Sequence, residues 1–136
     1  ATTAAHLNAA QALLEAVGTV VRLKSENQID AVTGVSGSGP AYVFHLIECL
    51  AAAGEAQGLA PELAMQLAKA TVAGAGALAI ASSETPSQLR VNVTSPNGTT
   101  QAGLDELMDS DRGLPPLIRR TVAAATNRSK ELARDA

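Results

Sequence analysis

Two short stretches carry polar side chains in arrangements able to hold a ligand. The first is "SPNGTT", residues 95–100. Pro96-Asn97-Gly98 is strong turn chemistry, because Asn and Gly tolerate positive φ. Thr99 or Thr100 then caps the helix that follows. A helix N-terminus offers N–H groups without intrahelical partners, and here a serine and a glycine, Ser95 and Gly98, precede it. Such a site suits a carboxylate, with Ser95 and the amides of Thr99 and Thr100 gripping its oxygens. A capped turn with no ligand has the same composition, and residue types leave both readings open.

The second stretch is "SGSGPAY", residues 36–42. Ser36, Gly37, Ser38 and Gly39, placed between two helices, make a loop whose backbone can approach a ligand closely. A plain hinge between helices looks the same, so spacing alone does not decide.

Other chemistry is excluded more easily. His6 and His45 are far apart, and neither sits in a ligand spacing with carboxylates or thiols, so no metal site is expected. "GVSGSG" misses the G-x-S-x-G nucleophile elbow by one position, and no strand leads into it. Glu48, Glu55 and Glu62 read as scattered surface acids without paired partners. Gly74 to Ala79, "GAGALA", matches the G-x-G-x-x-A dinucleotide pattern, which means something only after a strand. In mid-helix it reads as small residues for close helix packing.

Helices must position the two polar stretches. The chain has 136 residues, enough for one domain with a core, and its 46% hydrophobic and 17% charged content is globular. Tyr42 and Phe44 are its only Tyr, Phe or Trp rings, so the core must be built from small side chains. The net charge is −3, with no basic patch interleaved with aromatics, which argues against nucleic acid as a partner. Arg119, Arg120, Arg128, Lys130 and Arg134 read as a solvated face of the last helix. Cys49 is the single cysteine, so no disulfide forms within one chain, and a reducing compartment fits. The N-terminus does not read as a signal peptide, and the sequons at Asn92, Asn97 and Asn127 therefore carry no weight. The apolar run "ATVAGAGALAIA" is too short to span a bilayer. A soluble cytoplasmic protein is expected, with no membrane partner.

Periodicity places a helix over Leu7, Ala10, Leu14 and Val17, stopped by Gly18. "TVVRL", residues 19–23, reads as a short strand with no partner strand anywhere later. The chain therefore looks as if residues 1–25 close another, αβ-type domain. A short helix covers 29–35. Ser38 then caps a helix opened by Pro40 and ended at Gly58, with Val43, Leu46, Leu50 and Ala53 as its buried stripe. Pro61 opens the next helix, to about Ser82. Its second half, from Ala70, has only Thr71 as a polar side chain, and a helix without a solvated face must be surrounded. Thr85-Pro86-Ser87-Gln88 is a capping box starting a short helix to about Asn92. Helices over about 100–108 and 115–133 complete the chain, the last burying Ile118, Val122, Ala125 and Leu132. The expected fold is all-α: a bundle of about five to seven helices that intertwines with a second copy as a dimer, plus the orphan strand at 19–23.

"DAVTGVSGSGPAYVF" (30–44) and "VTSPNGTTQAGLDEL" (93–107) strongly resemble pyrroline-5-carboxylate reductase. The intervening "GLAPELAMQLAKATVAGA" and "PSQLR", and the terminal "RSKELA", resemble that family too. The likeness runs from about Thr19 to the end. It implies that residues 1–25 are the last helix and strand of a Rossmann domain, and that 26–136 form the helical dimerisation and substrate-binding domain. The family's Gly-rich cofactor loop has no counterpart here. The resemblance implies the NADPH-dependent reduction of 1-pyrroline-5-carboxylate to L-proline, with NADH as the alternative cofactor, bound mainly elsewhere, so that this stretch alone is expected to be inactive. It further implies that Ser95, Gly98 and the amides of Thr99 and Thr100 hold the substrate carboxylate. Thr100 would be the catalytic hydroxyl, bonded to the imine nitrogen, and Ser36, Gly37, Ser38 and Gly39 would lie near the nicotinamide. Where Asn97 stands, the family usually has glycine. A homodimer, and a ring of dimers beyond it, are the implied assemblies. The rival readings are a stand-alone helical dimer that binds a carboxylate without catalysis, and a reductase for a cyclic imine with a larger ring.

Overall fold

The computed structural model describes residues 2–134, and all regular structure among them is helical. Helix α1 (Ala4–Glu15) opens with a reciprocal cap: the His6 N–H donates to Thr3 Oγ1 at 3.3 Å, and the Thr3 N–H donates to His6 Nδ1 at 3.4 Å. His6 is thus a capping residue. No residue of α1 is buried. The strand expected at 19–23 does not form. A strand exists only by pairing, and the described residues supply no second one. Arg22 instead reaches back to α1, donating to Gln11 Oε1 at 2.5 Å and Asn8 Oδ1 at 2.8 Å.

A 3₁₀ turn (Glu26–Gln28) leads into α2 (Ile29–Val32), a π-helical turn (Thr33–Gly37) and α3 (Gly39–Ala56). Residues 36–39 are therefore not a loop, as their composition suggested. Pro40 explains why. It has no N–H for the carbonyl four residues back, and its ring displaces that carbonyl. The wider turn absorbs the displacement, and the Ser38 N–H bonds the Thr33 carbonyl, five residues back, at 2.8 Å. Ser38 has helical dihedrals and makes no side-chain cap, correcting that expectation.

Gly58, at φ 95°, lets the chain turn out of α3. Pro61 then starts α4 (Pro61–Ala81), which folds back on α3. Their contact is built from small residues. Ala51, Ala64 and Ala68 are the buried hydrophobics among the described residues, with Ile47 and Met65 packed around them. A Cβ on Gly54 would lie 3.3 Å from the Ala64 methyl, so the bare backbone there permits close approach. The face α3 buries is thus Ile47, Ala51 and Gly54. Val43, Leu46 and Leu50, expected inside, are each more than 40% exposed.

The second half of α4 is largely exposed among the described residues. Ile80 is 88% exposed, and nothing lies within 4 Å of the Cβ positions of Gly74 or Gly76. The two glycines expected to give close packing there meet nothing among the described residues. With 21 residues and a mean hydropathy of 1.4 over an 18-residue window, α4 is long and apolar enough to cross a bilayer. The run 70–81 alone did not indicate this, because the helix extends through residues 61–69 ahead of it. Two short helices, α5 (Pro86–Asn92) and α6 (Thr99–Leu107), precede the long α7 (Leu114–Arg134). That last helix returns to α2 and the π turn. A Cβ on Gly34 would lie 2.5 Å from Thr126 Oγ1 and 3.1 Å from the Val122 carbonyl oxygen. Ser129 Oγ donates to Asp30 Oδ1 at 2.7 Å. The face α7 uses therefore centres on Val122, Ala125, Thr126 and Ser129, while Ile118 and Leu132 stay exposed. Its five basic residues are exposed, as expected, and Arg128 pairs with Glu131 at 2.8 Å.

Candidate functional site

Helix α5 is held at both ends, and the 95–100 stretch hangs between it and α6. Thr85 Oγ1 accepts the Gln88 N–H at 3.2 Å, which is half of the expected capping box. The other half is absent because the Gln88 side chain turns forward. Its Nε2 donates to Asn92 Oδ1 at 2.8 Å, and Asn92 Nδ2 donates to Glu84 Oε2 at 3.0 Å. This chain of amides and a carboxylate braces α5 along its length. At the far end, Thr94 donates twice: its N–H to the Val91 carbonyl at 3.0 Å and its hydroxyl to the Arg90 carbonyl at 2.6 Å.

The turn itself spans Ser95 to Gly98, whose N–H donates to the Ser95 carbonyl at 3.0 Å. Pro96 occupies the second position, and Asn97 the third, at φ 58°. Asn97 is the only non-glycine residue with positive φ among those described. Gly98 is the N-cap of α6, and no side chain caps the helix. Thr99 and Thr100 are its first two residues rather than its caps. Their N–H groups lie ahead of the first intrahelical bond, from Ala102 to the Gly98 carbonyl at 3.2 Å. Ser95, Thr99 and Thr100 are all exposed. One hydroxyl, two unspent amides and one further hydroxyl thus surround a positive helix end, an arrangement that favours an anion. Thr100 also lines an apolar groove of about 400 Å³ with Ala75, Leu78 and Ala79 of α4, Leu89 of α5 and Leu104 of α6.

Residues 36–39 lie elsewhere. Ser36 lines a separate groove of about 610 Å³ with Thr19, Val21, Leu23, Val32 and Val35. Gly39 presents bare backbone, with nothing within 4 Å of where its Cβ would sit. No hydrogen bond among the described residues joins this segment to the 95–100 turn, and the two line different grooves. Within one chain the two sets of site residues are not brought together.

Two further polar clusters escaped sequence reasoning. His45 does meet acid and thiol: Nδ1 lies 2.9 Å from Glu48 Oε2, and Nε2 lies 3.6 Å from Cys49 Sγ. Spacings of three and four on α3 place these side chains on one face. All three are exposed, and no three metal-ligating side chains cluster among the described residues. The second feature is Asp109, beyond α6. It accepts the N–H groups of Arg112 at 2.7 Å and Asp111 at 2.9 Å. These bonds, the Arg112 one foremost, hold its carboxyl below the usual aspartate range. The D-x-D-R pattern, an Asx turn signal, was the clue available in the sequence.

Residues 26–132 match the family model described as pyrroline-5-carboxylate reductase dimerisation. The chain belongs to that family. A pyrroline-5-carboxylate reductase of Pseudomonas aeruginosa is 46% identical over 130 residues, which are 96% of this chain and 47% of the relative. One of Pisum sativum is 50% identical over 103 residues, 76% of this chain and 37% of its own. Among solved structures, a pyrroline-5-carboxylate reductase from Coxiella burnetii superposes with a TM-score of 0.90 at 40% identity. The match covers 96% of this chain and 48% of that one. A Plasmodium falciparum pyrroline carboxylate reductase, solved with NADP bound, gives a TM-score of 0.82 at 30% identity, again over 96% of this chain and 48% of its own. This member of the pyrroline-5-carboxylate reductase dimerisation family thus spans about half the length of the relatives it matches.

Proposed function

We propose that this chain forms the dimerisation and substrate-carboxylate part of an NADPH-dependent pyrroline-5-carboxylate reductase, which converts 1-pyrroline-5-carboxylate to L-proline in the cytoplasm. Residues 26–136 are that helical part, and residues 1–25 belong to the end of the cofactor domain. The observation that supports the reading is the turn at 95–98, because it ends at Gly98, the N-cap of α6 that no side chain caps, with Ser95 three residues before it.

The reaction adds a hydride to the C=N carbon and a proton to the ring nitrogen. NADPH, when bound, supplies the hydride, with NADH as the alternative donor. In this reading Ser95 and the amides of Thr99 and Thr100 hold the carboxylate, which fixes the ring. The Thr100 hydroxyl bonds the ring nitrogen, and the apolar wall of Ala75, Leu78 and Leu104 takes the ring carbons. The main need is alignment, so a hydroxyl and helix amides are adequate and no nucleophile is required. Ser36, Gly37, Ser38 and Gly39 face the nicotinamide, and the bare backbone at Gly39 is compatible with a flat ring. They lie apart from Ser95 within one chain, so a second copy, or the cofactor domain, must bring the two together.

A homodimer is further supported by the apolar surface left uncovered. Gly74, Gly76 and Ile80 of α4 and Val43, Leu46 and Leu50 of α3 are exposed, while the buried hydrophobics among the described residues are three alanines. A second copy seated there completes the bundle, and rings of dimers are the higher assembly.

Steady-state kinetics on the polypeptide that joins this region to its cofactor domain test the site. Ser95→Ala is expected to raise KM for the imino acid about tenfold with kcat little changed, the loss of uniform binding. Thr100→Val is expected to lower kcat by about 10²-fold, the scale of a positioned proton-handling group. Unchanged constants in both variants would remove these residues from the site.

A further inference from the structure

We infer that Thr94, which precedes the proposed carboxylate-binding serine, is a positioning residue: its hydroxyl locks the exit of α5 and so fixes where Ser95 points. The inference rests on the proposed reductase reading and deepens it.

The last four carbonyls of a helix have no intrahelical partner. In α5 these belong to Leu89, Arg90, Val91 and Asn92. Val93 closes the first, its N–H reaching the Leu89 carbonyl at 3.3 Å. Thr94 bonds the next two, with its hydroxyl on Arg90 at 2.6 Å and its N–H on Val91 at 3.0 Å, the Val91 carbonyl being shared with the Val93 N–H. Both bonds come from one half-buried residue, so its backbone and its χ1 are fixed together. The residue immediately after it is Ser95.

From Ser95 onward the chain has little further freedom. Gly98 bonds the Ser95 carbonyl at 3.0 Å, and a Cβ on Gly98 would lie 3.1 Å from that oxygen and 3.3 Å from Ser95 Cβ. The serine is thus pinned from behind by Thr94 and from ahead by the Gly98 turn. At the residue next to Ser95 the Thr94 hydroxyl bond is the constraint that a side-chain change can remove, while the Gln88–Asn92–Glu84 chain braces the helix before it. Losing it frees α5's exit to fray and lets Ser95 swing relative to the amides of Thr99 and Thr100. A displacement of that kind weakens a carboxylate grip that depends on converging donors.

The test uses the full polypeptide with its cofactor domain, assayed with NADPH and 1-pyrroline-5-carboxylate. Thr94→Val keeps the shape and removes the hydroxyl. It is expected to raise KM about tenfold while kcat stays within about twofold, the pattern of lost binding rather than lost chemistry. Thr94→Ser, which restores the hydroxyl, is expected to return KM to within about twofold of the parent. Should Thr94→Val not assemble, as sedimentation would show, Thr94→Ala against Thr94→Ser makes the same comparison. A Val or Ala variant that melts at a lower temperature yet keeps the parental KM would overturn the inference, making Thr94 a helix stop only. Equal KM values for the Ser and Val variants, both raised, would overturn it as well. A parent protein without reductase activity would instead sink the underlying functional reading, so the two failures are distinguishable.

Discussion

Residues 36–39 and 95–98 both place serine and glycine beside a proline at the mouth of a helix, yet their backbones follow different courses. The first runs on as helix, widened for one turn, and its glycines are spent on packing and bare surface. The second reverses direction within four residues and leaves the helix after it uncapped by any side chain. The position of proline separates them. Pro40 follows its serines and displaces a carbonyl upstream, which the π turn absorbs. Pro96 follows Ser95 directly and presets the second position of a turn whose third residue needs positive φ, the requirement Asn97 meets. One segment has its polar groups tied into helix, and the other has hydroxyls and amides to offer. Only the second has the makings of an anion site by itself.

The largest expected effect falls on the π turn that leads into the first segment. Gly34→Val would put side-chain atoms where Thr126 Oγ1 stands 2.5 Å and the Val122 carbonyl 3.1 Å from a Cβ alone. The Gly34 carbonyl also accepts the Tyr42 hydroxyl at 3.1 Å, a bond that a shift of this backbone would strain. Overpacking against a helix backbone costs about 3 kcal/mol. The urea midpoint is expected to fall accordingly with an unchanged m-value. The turn at 95–98 is expected to keep its geometry, and the folded variant to keep the proposed carboxylate affinity. A midpoint within error of the parent would show that α7 does not press on the π turn.

Much of this arrangement was legible because proline and glycine punctuate it. Pro61, Pro86 and Gly58 mark helix limits within a residue or two of where they fall, and the Pro-Asn-Gly turn declared itself. The π turn did not, since a shift in hydrogen-bond register has no residue signature of its own. The choice of buried face was also hidden. On α3 both Val43-Leu46-Leu50 and Ile47-Ala51-Gly54 are stripes at helical spacing, and the chain buries the smaller one because two backbones can approach there. The larger stripe is left for something outside the chain, which a single sequence cannot display. The strand at 19–23 failed for the same reason: its residues suit a sheet, and no sheet is present among the described residues. Thr94 and the Gln88–Asn92–Glu84 brace were missed because each depends on a side chain choosing between two nearby partners.

A smaller effect sharpens the second segment. Asn97 holds φ 58°, a left-handed conformation that costs most L-residues about 1–2 kcal/mol. Asn offsets part of that cost, and glycine avoids it. Asn97→Ala is therefore expected to lower stability by about 1 kcal/mol, and Asn97→Gly to stay within about 0.5 kcal/mol of the parent. Denaturant unfolding of the three proteins side by side measures both. Equal loss in the two variants would mean that the Asn side chain, rather than its tolerance of positive φ, holds the turn.

The smallest effect lies past α6, where Asp109 accepts two backbone N–H groups and stays ionised at lower pH than an ordinary aspartate. A folded-state value below the unfolded one means that the unfolded chain binds the proton more readily. The stabilisation is therefore whole above the usual aspartate range, near 3.9, and is lost as pH falls through the lower folded value. Asp109→Asn keeps an acceptor oxygen but has no charge to titrate. Its urea midpoint is expected to sit slightly below the parent at pH 7, and the gap to narrow as the buffer is taken below about pH 4. A gap of constant size across that range would assign the loss to packing of the connection between α6 and α7. A gap that closes on acidification would assign it to the charge-assisted bonds, leaving the turn at 95–98 untouched at either pH.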